Sequence, residues 1–103
     1  MFRVSVLYAQ KKGARFDHDY YAKKHLPFLR KKLEPFGLVR AEIEKGLPGG
    51  NGEPPLFVAA CHMIFGTISQ FEQGIGAVGG ELTADVPNYT DITPQVQLSE
   101  MVD

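Results

Sequence analysis

The 103-residue chain has one cysteine, no tryptophan, no surplus of either charge and no apolar run long enough to cross a membrane. Each shortage excludes something. With Cys61 alone, neither an internal disulfide nor a thiolate metal cluster can form, which fits a reducing cytoplasm. Eleven basic against twelve acidic side chains leave a net charge of -1, so the chain carries no electrostatic footprint for nucleic acid or an anionic membrane. The local group Lys23, Lys24, Arg30, Lys31 and Lys32 then reads as the solvated side of a helix. The apolar part of MFRVSVLYAQ is too short for a signal peptide, and nothing approaches the roughly 20 residues of a membrane span. Hydrophobic residues make up 44%, which argues against disorder and for a single domain over residues 1–103.

Strands and helices alternate along the chain. FRVSVLYA, Phe2 to Ala9, is rich in β-branched and aromatic residues and predicts a first strand ending at the polar turn QKKGAR. A helix is predicted from Asp17, whose carboxylate can cap it, with Ala22, Leu26, Leu29 and Leu33 as one apolar stripe. Pro27 stands inside that helix. It has no N–H for the carbonyl of Lys23 and crowds it, at an interior cost of about 3 kcal/mol, so the helix is expected to bend or restart there. Gly37 can take the positive φ that ends it. Leu38 to Lys45 is a second strand, with Val39, Ala41 and Ile43 alternating against Arg40, Glu42 and Glu44. GLPGGNGEPP is a loop whose glycines are turn-formers, since it has no phosphate-binding pattern. Leu56 to Phe65 is apolar on both parities and predicts a strand buried on both faces.

Thr67 to Gln70 and Ser69 to Glu72 both fit a capping box, followed by Phe71, Ile75, Val78 and Leu82 as the stripe of a second helix. Gly74, Gly76, Gly79 and Gly80 each cost that helix up to about 1 kcal/mol relative to alanine; they weaken it or let it lie close to the sheet. A turn through Pro87 leads to a last strand, Pro94 to Val102. The order β-α-β-β-α-β with right-handed crossovers gives an α+β fold, a ferredoxin-like sandwich with both helices on one face of a four-stranded antiparallel sheet. The other face has no helix to cover it. Pairing it with the same face of a second copy would make a homodimer and enclose a space between the two sheets.

Four stretches resemble the EthD family, named for bacterial ethyl tert-butyl ether degradation, within the dimeric α+β barrel superfamily. They are VSVLY, KKGARFDHDYYAKKHLPFL, PLFVAACHMIFGTISQFEQ and DVPNYTDITPQVQLSE, in order and over most of the chain. The resemblance implies a dimeric α+β barrel and, from the family name, a link to oxidative degradation. The superfamily includes cyclases, isomerases, monooxygenases and haem proteins. GIGAVGGEL in the second helix departs from the pattern, where relatives tend to carry alanines and a histidine, so a role attached to that histidine does not transfer.

Two histidines are the candidate catalytic groups. His25 falls at the edge of the first helix's stripe, beside Tyr21 and Phe28, and imidazole titrates close to neutral pH. It either moves a proton at a barrel wall or locks the bend at Pro27. His62 lies in the third strand with Ala60 and Ile64 on its side; buried there it needs a partner, which a ligand cavity or a core neighbour would supply. Tyr8, Tyr21 and Tyr89, with Phe28, are the candidate substrate-binding residues. The tyrosines, and Tyr20 with them, could donate to a carbonyl or phenol or simply pack. Cys61 has no basic neighbour in sequence and reads as an inert core residue. His18 and His25 are seven apart, about 10.5 Å along a helix, and cannot share one metal ion. No metal site or cofactor is expected. The expectation is a cytoplasmic homodimer that binds a small hydrophobic, oxygen-bearing molecule or converts it by isomerisation, cyclisation, dehydration or ring opening. Binding without turnover, and a barrel with no pocket at all, stand beside it.

Overall fold

In a computed structural model that describes residues 1–102, the chain runs through β1 (Phe2–Ala9), α1 (His18–Tyr20), a π-helical turn (Tyr21–His25), α2 (Leu26–Leu33) and a 3-10 turn (Glu34–Phe36). There follow β2 (Leu38–Lys45), β3 (Phe57–Phe65), α3 (Ile68–Asp85), a 3-10 turn (Val86–Asn88) and β4 (Gln95–Glu100). The strands make one antiparallel sheet in the order β2-β3-β1-β4, the ferredoxin-like arrangement. Both ends of the fourth strand fall short of the expected Pro94 to Val102, and the third begins at Phe57 rather than Leu56.

Register sorts the residues onto two faces. Phe2 pairs with Phe65, Val4 with Met63 and Val6 with Cys61, and these join the core beneath the helices. Ser5 opposes His62 on the other, open face. The two-sided apolarity of β3 becomes two-sided burial: Ala59, Cys61, Met63 and Phe65 on the helix side, Ala60 and Ile64 on the open side. In β2 the alternation sends Ala41 and Ile43 inward and leaves Arg40, Glu42 and Glu44 on the open side.

Pro27 causes a restart without a break. The N–H of Leu26 reaches back five residues to the carbonyl of Tyr21, so this turn holds one residue more than an α-helical turn. Pro27 then falls in the first turn of α2, where a missing N–H matters least. The extra residue also rotates the preceding face by about 100°. Ala22, expected to begin the apolar stripe, is exposed, while Tyr21 and His25 join Leu26, Leu29 and Leu33 inside.

Thr67 caps α3 through a reciprocal box with Gln70. Gly74 is needed for a close approach, but to the other helical segment and not the sheet: a Cβ there would lie 3.0 Å from Leu33 Cδ2 and 3.2 Å from Phe36 Cβ. Gly37 ends the first helical run at φ 96°, as expected. Since the π turn already accommodates Pro27, Pro27→Ala should change stability by less than about 1 kcal/mol, well short of the roughly 3 kcal/mol gained by removing an interior proline. Urea denaturation measures this; a gain near the larger figure would show that the proline strains the helix.

Candidate functional site

The widened turn aims His25 into the molecule, leaving it 6% exposed. Its Nδ1 lies 2.8 Å from Oδ2 of Asp85, the last residue of α3. A carboxylate at a helix C-terminus faces the negative end of the backbone dipole and needs compensation. Donors supply it. The Tyr20 hydroxyl donates to Oδ1 at 2.7 Å, and Asn88 Nδ2 donates to the same oxygen at 2.9 Å. Burial alone would raise the Asp85 pKa, but hydrogen bonds from Tyr20, His25 and Asn88 outweigh it and hold the carboxyl below its ordinary value. An ionised carboxylate only accepts, so Nδ1 of His25 carries a proton and Nε2 of the neutral ring holds the lone pair.

Nε2 faces the hydroxyl of Tyr89 at 3.5 Å, a loose contact. That hydroxyl shares a 2.5 Å hydrogen bond with Tyr8. Burial pushes the pKa of both tyrosines up, so both remain protonated near neutral pH. His25 and Tyr8 stand in the wall of a cleft of about 470 Å³ between α3 and the helix side of β1 and β4. Val6, Met63, Phe71, Ile75, Val86 and Val96 give it apolar walls, and no lysine or arginine lines it among the described residues. The cleft exists because the helices leave the edge strand uncovered: Val96 points to the helix side yet is 61% exposed.

The other expected residues fall elsewhere. Tyr89 stands one hydrogen bond behind Tyr8. Tyr21 is stacked on His25 with ring centroids 5.7 Å apart and is sealed behind the site. Its hydroxyl has no hydrogen-bond partner among the described residues and faces the thiol of Cys61, which burial pushes up to about 12. Phe28 is half-buried outside the cleft, with Lys32 Nζ 5.8 Å from its ring centre. The cavity containing His25 lies inside one subunit, between helix and sheet, and not in the space expected between two sheets.

His62 is on the open face and cannot share a site with His25. Its Nδ1 is 2.9 Å from Ser5 Oγ and its Nε2 is 2.7 Å from Glu44 Oε1. The order serine, histidine, carboxylate suggests an activated nucleophile. Ser5, however, is in the middle of a strand paired on both sides, so the backbone N–H groups near it are committed to the sheet and none is free for a developing oxyanion. The three side chains form a cross-strand hydrogen-bonded chain. Among the described residues no group of three or more His, Cys, Asp or Glu side chains could hold a metal ion. Asp85 was missed by sequence reasoning, although an aspartate closing a helix, where a cation is favoured, was a signal that something must hold it.

Because its folded-state pKa is lowered, Asp85 contributes stability that is present above the ordinary carboxylate pKa of 3.8 and lost as pH falls through the lower folded value. Asp85→Asn should therefore be less stable than the wild type at neutral pH by about 1.5 kcal/mol, the low end for hydrogen bonds to a charged group that keeps some contact with water. The difference should close as the medium is acidified below that value. Denaturant titrations from neutral pH down to about pH 2 test the sign, and a difference unchanged by pH would contradict it.

No protein-family model matches the chain, and no curated protein does. Solved structures do. An EthD-like protein from Ralstonia eutropha is 40% identical, with 99% of this chain and 92% of that one covered at a TM-score of 0.93. An ethyl tert-butyl ether (EthD) family protein from Bacillus halodurans is 20% identical over 99% of both chains, at a TM-score of 0.69. A dimeric ferredoxin-like protein from an uncultured marine organism is 11% identical over 100% of this chain and 96% of that one, at a TM-score of 0.58, a likeness of fold. With two-fifths of its residues shared over nearly its whole length, the chain belongs to the EthD family.

Proposed function

We propose that the chain binds a small, uncharged, largely apolar molecule bearing an oxygen and moves a proton on it, with His25 as base and the tyrosine pair as the group that polarises the oxygen. The observation that supports this reading is that His25, held by Asp85, and Tyr8 line one apolar cleft. An anion entering the cleft would lose hydration without meeting a cationic side chain, which disfavours charged ligands. His25 Nε2 takes a proton from a carbon beside a carbonyl or from a hydroxyl. Tyr8 donates to the oxygen where negative charge grows, and Tyr89 supports Tyr8 from behind. Asp85 is a positioning residue: it fixes the ring and stabilises the imidazolium without taking the proton. Return of the proton from the imidazolium to another carbon is isomerisation; its transfer to a neighbouring hydroxyl that leaves as water is dehydration; and attack of the enolate on a second carbonyl, whose oxygen takes the proton, is cyclisation. All three are redox-neutral and proceed without a cofactor, in a catabolic or secondary-metabolic pathway.

Binding without turnover, as an accessory to an oxidative degradation pathway, is the second reading, favoured by the ether-degradation name that one relative carries. Both readings place the chain in the cytoplasm, where a single buried thiol suits the reducing conditions. A second copy covering the open sheet face belongs to the proposal as well, supported by ferredoxin-like neighbours that are named as dimers.

Deuterium exchange tests the chemistry. With a neutral aryl ketone as probe in heavy water, the wild-type protein should accelerate exchange beside the carbonyl, and His25→Gln should lower that rate by about 10²–10⁴-fold while still binding the ketone. Undiminished exchange in His25→Gln would remove His25 as the base, and binding with no exchange by the wild type would select the accessory reading. Light scattering at micromolar concentration should return twice the chain mass; the mass of one chain would end the dimer proposal.

A further inference from the structure

Glycines in the middle of a helix need a reason, since each destabilises it relative to alanine. Gly74 has one in its contact with Leu33 and Phe36. Gly79 has none of that kind. It lines the cleft one turn after Ile75, and a Cβ built on it would meet only Ile75 within 4 Å, its Cγ2 at 3.1 Å, and no atom of the sheet. Gly80 also lines the cleft, and a Cβ there would meet nothing within 4 Å. Neither has positive φ, so neither backbone conformation requires glycine. What glycine gives these positions is space, at the point where α3 passes the sheet without touching it.

A second observation concerns the walls around that space. Ile75 and Val96 remain 38% and 61% exposed although both belong to the helix–sheet layer, where apolar side chains normally bury each other. The gap therefore separates apolar surfaces that could be covered together by one inserted apolar group. His25 and Tyr8 line the same cleft.

We propose that Gly79 and Gly80 are specificity determinants: the absence of side chains there opens the cleft to a ligand whose oxygen meets Tyr8 and His25 and whose apolar tail runs beneath α3 to Val96. The inference rests on the reading of the cleft as a binding site and adds the shape of what it takes. A side chain at either position would occupy the track of the tail. The tail length, and not the oxygen, is what these residues select.

Neutral 4-alkylphenols of increasing chain length, titrated by calorimetry, provide the test. Wild-type affinity should rise roughly fourfold for each added methylene until the cleft is full. Gly79→Leu should end the rise at least two methylenes earlier than in the wild type; Gly80→Leu, at a position where a Cβ meets nothing, gives the same readout should the first variant fail to fold. Gly76→Ala, outside the cleft with nothing near its Cβ, should raise the melting temperature and keep the wild-type length profile. His25→Gln should weaken every member by a similar factor without moving the limit. An unchanged length profile in the folded leucine variants, or no dependence on chain length in the wild type, would overturn the inference. A limit that moves with Gly79→Leu while His25→Gln changes nothing would retain it and remove the assigned role of His25.

Discussion

The hydrogen bond between His25 and Asp85 joins parts of the chain sixty residues apart, and the site depends on it. It ties the π turn to the end of α3. Neither residue would be stable there alone. The imidazole needs a partner because it is buried, and the carboxylate needs donors because it closes a helix with the wrong sign of charge. Each supplies what the other lacks, and Tyr20 and Asn88 complete the set. Pro27 reaches the same arrangement by another route, since the wide turn in front of it is what aims His25 inward.

The two faces of the sheet have been given different chemistry. On the helix side, titratable groups are confined to one end of an apolar cleft and to hydroxyls and a thiol whose burial keeps them protonated. Ser5, His62 and Glu44 on the open side can satisfy one another in either charge state of the ring, because a serine hydroxyl both donates and accepts. Both ring nitrogens of His62 are therefore paired within that chain. A proton-transfer residue wants the opposite, a nitrogen whose neighbours leave it something to do, and the loose contact of His25 Nε2 meets that condition.

The strands and the α+β order were legible because period-two and period-3.6 patterns survive in short segments, and the capping box at Thr67 marked its helix directly. The phase of the first helix was not. A constant 100° per residue put Ala22 inside, and one extra residue in the π turn exchanged it for Tyr21; no residue pattern distinguishes that turn from a bend at Pro27. The parity of β3 correctly grouped His62 with Ala60 and Ile64, yet with apolar residues on both parities it could not say which side the helices cover. Asp85 was invisible for a different reason. Its partners lie in distant segments, and only the folded topology brings them together.

The central position of β1 also governs how the fold can be reached. Its partners are β3 and β4, so Val4 waits for Met63 and Leu98 before both sides of its backbone are paired. During synthesis this strand emerges before both of its partners. Loop closure over such separations is slow, and the unpaired interval leaves two open edges on an apolar strand. Of all the segments in the chain, β1 is therefore the one whose exposure on the way to the folded state most favours contact with the wrong partner.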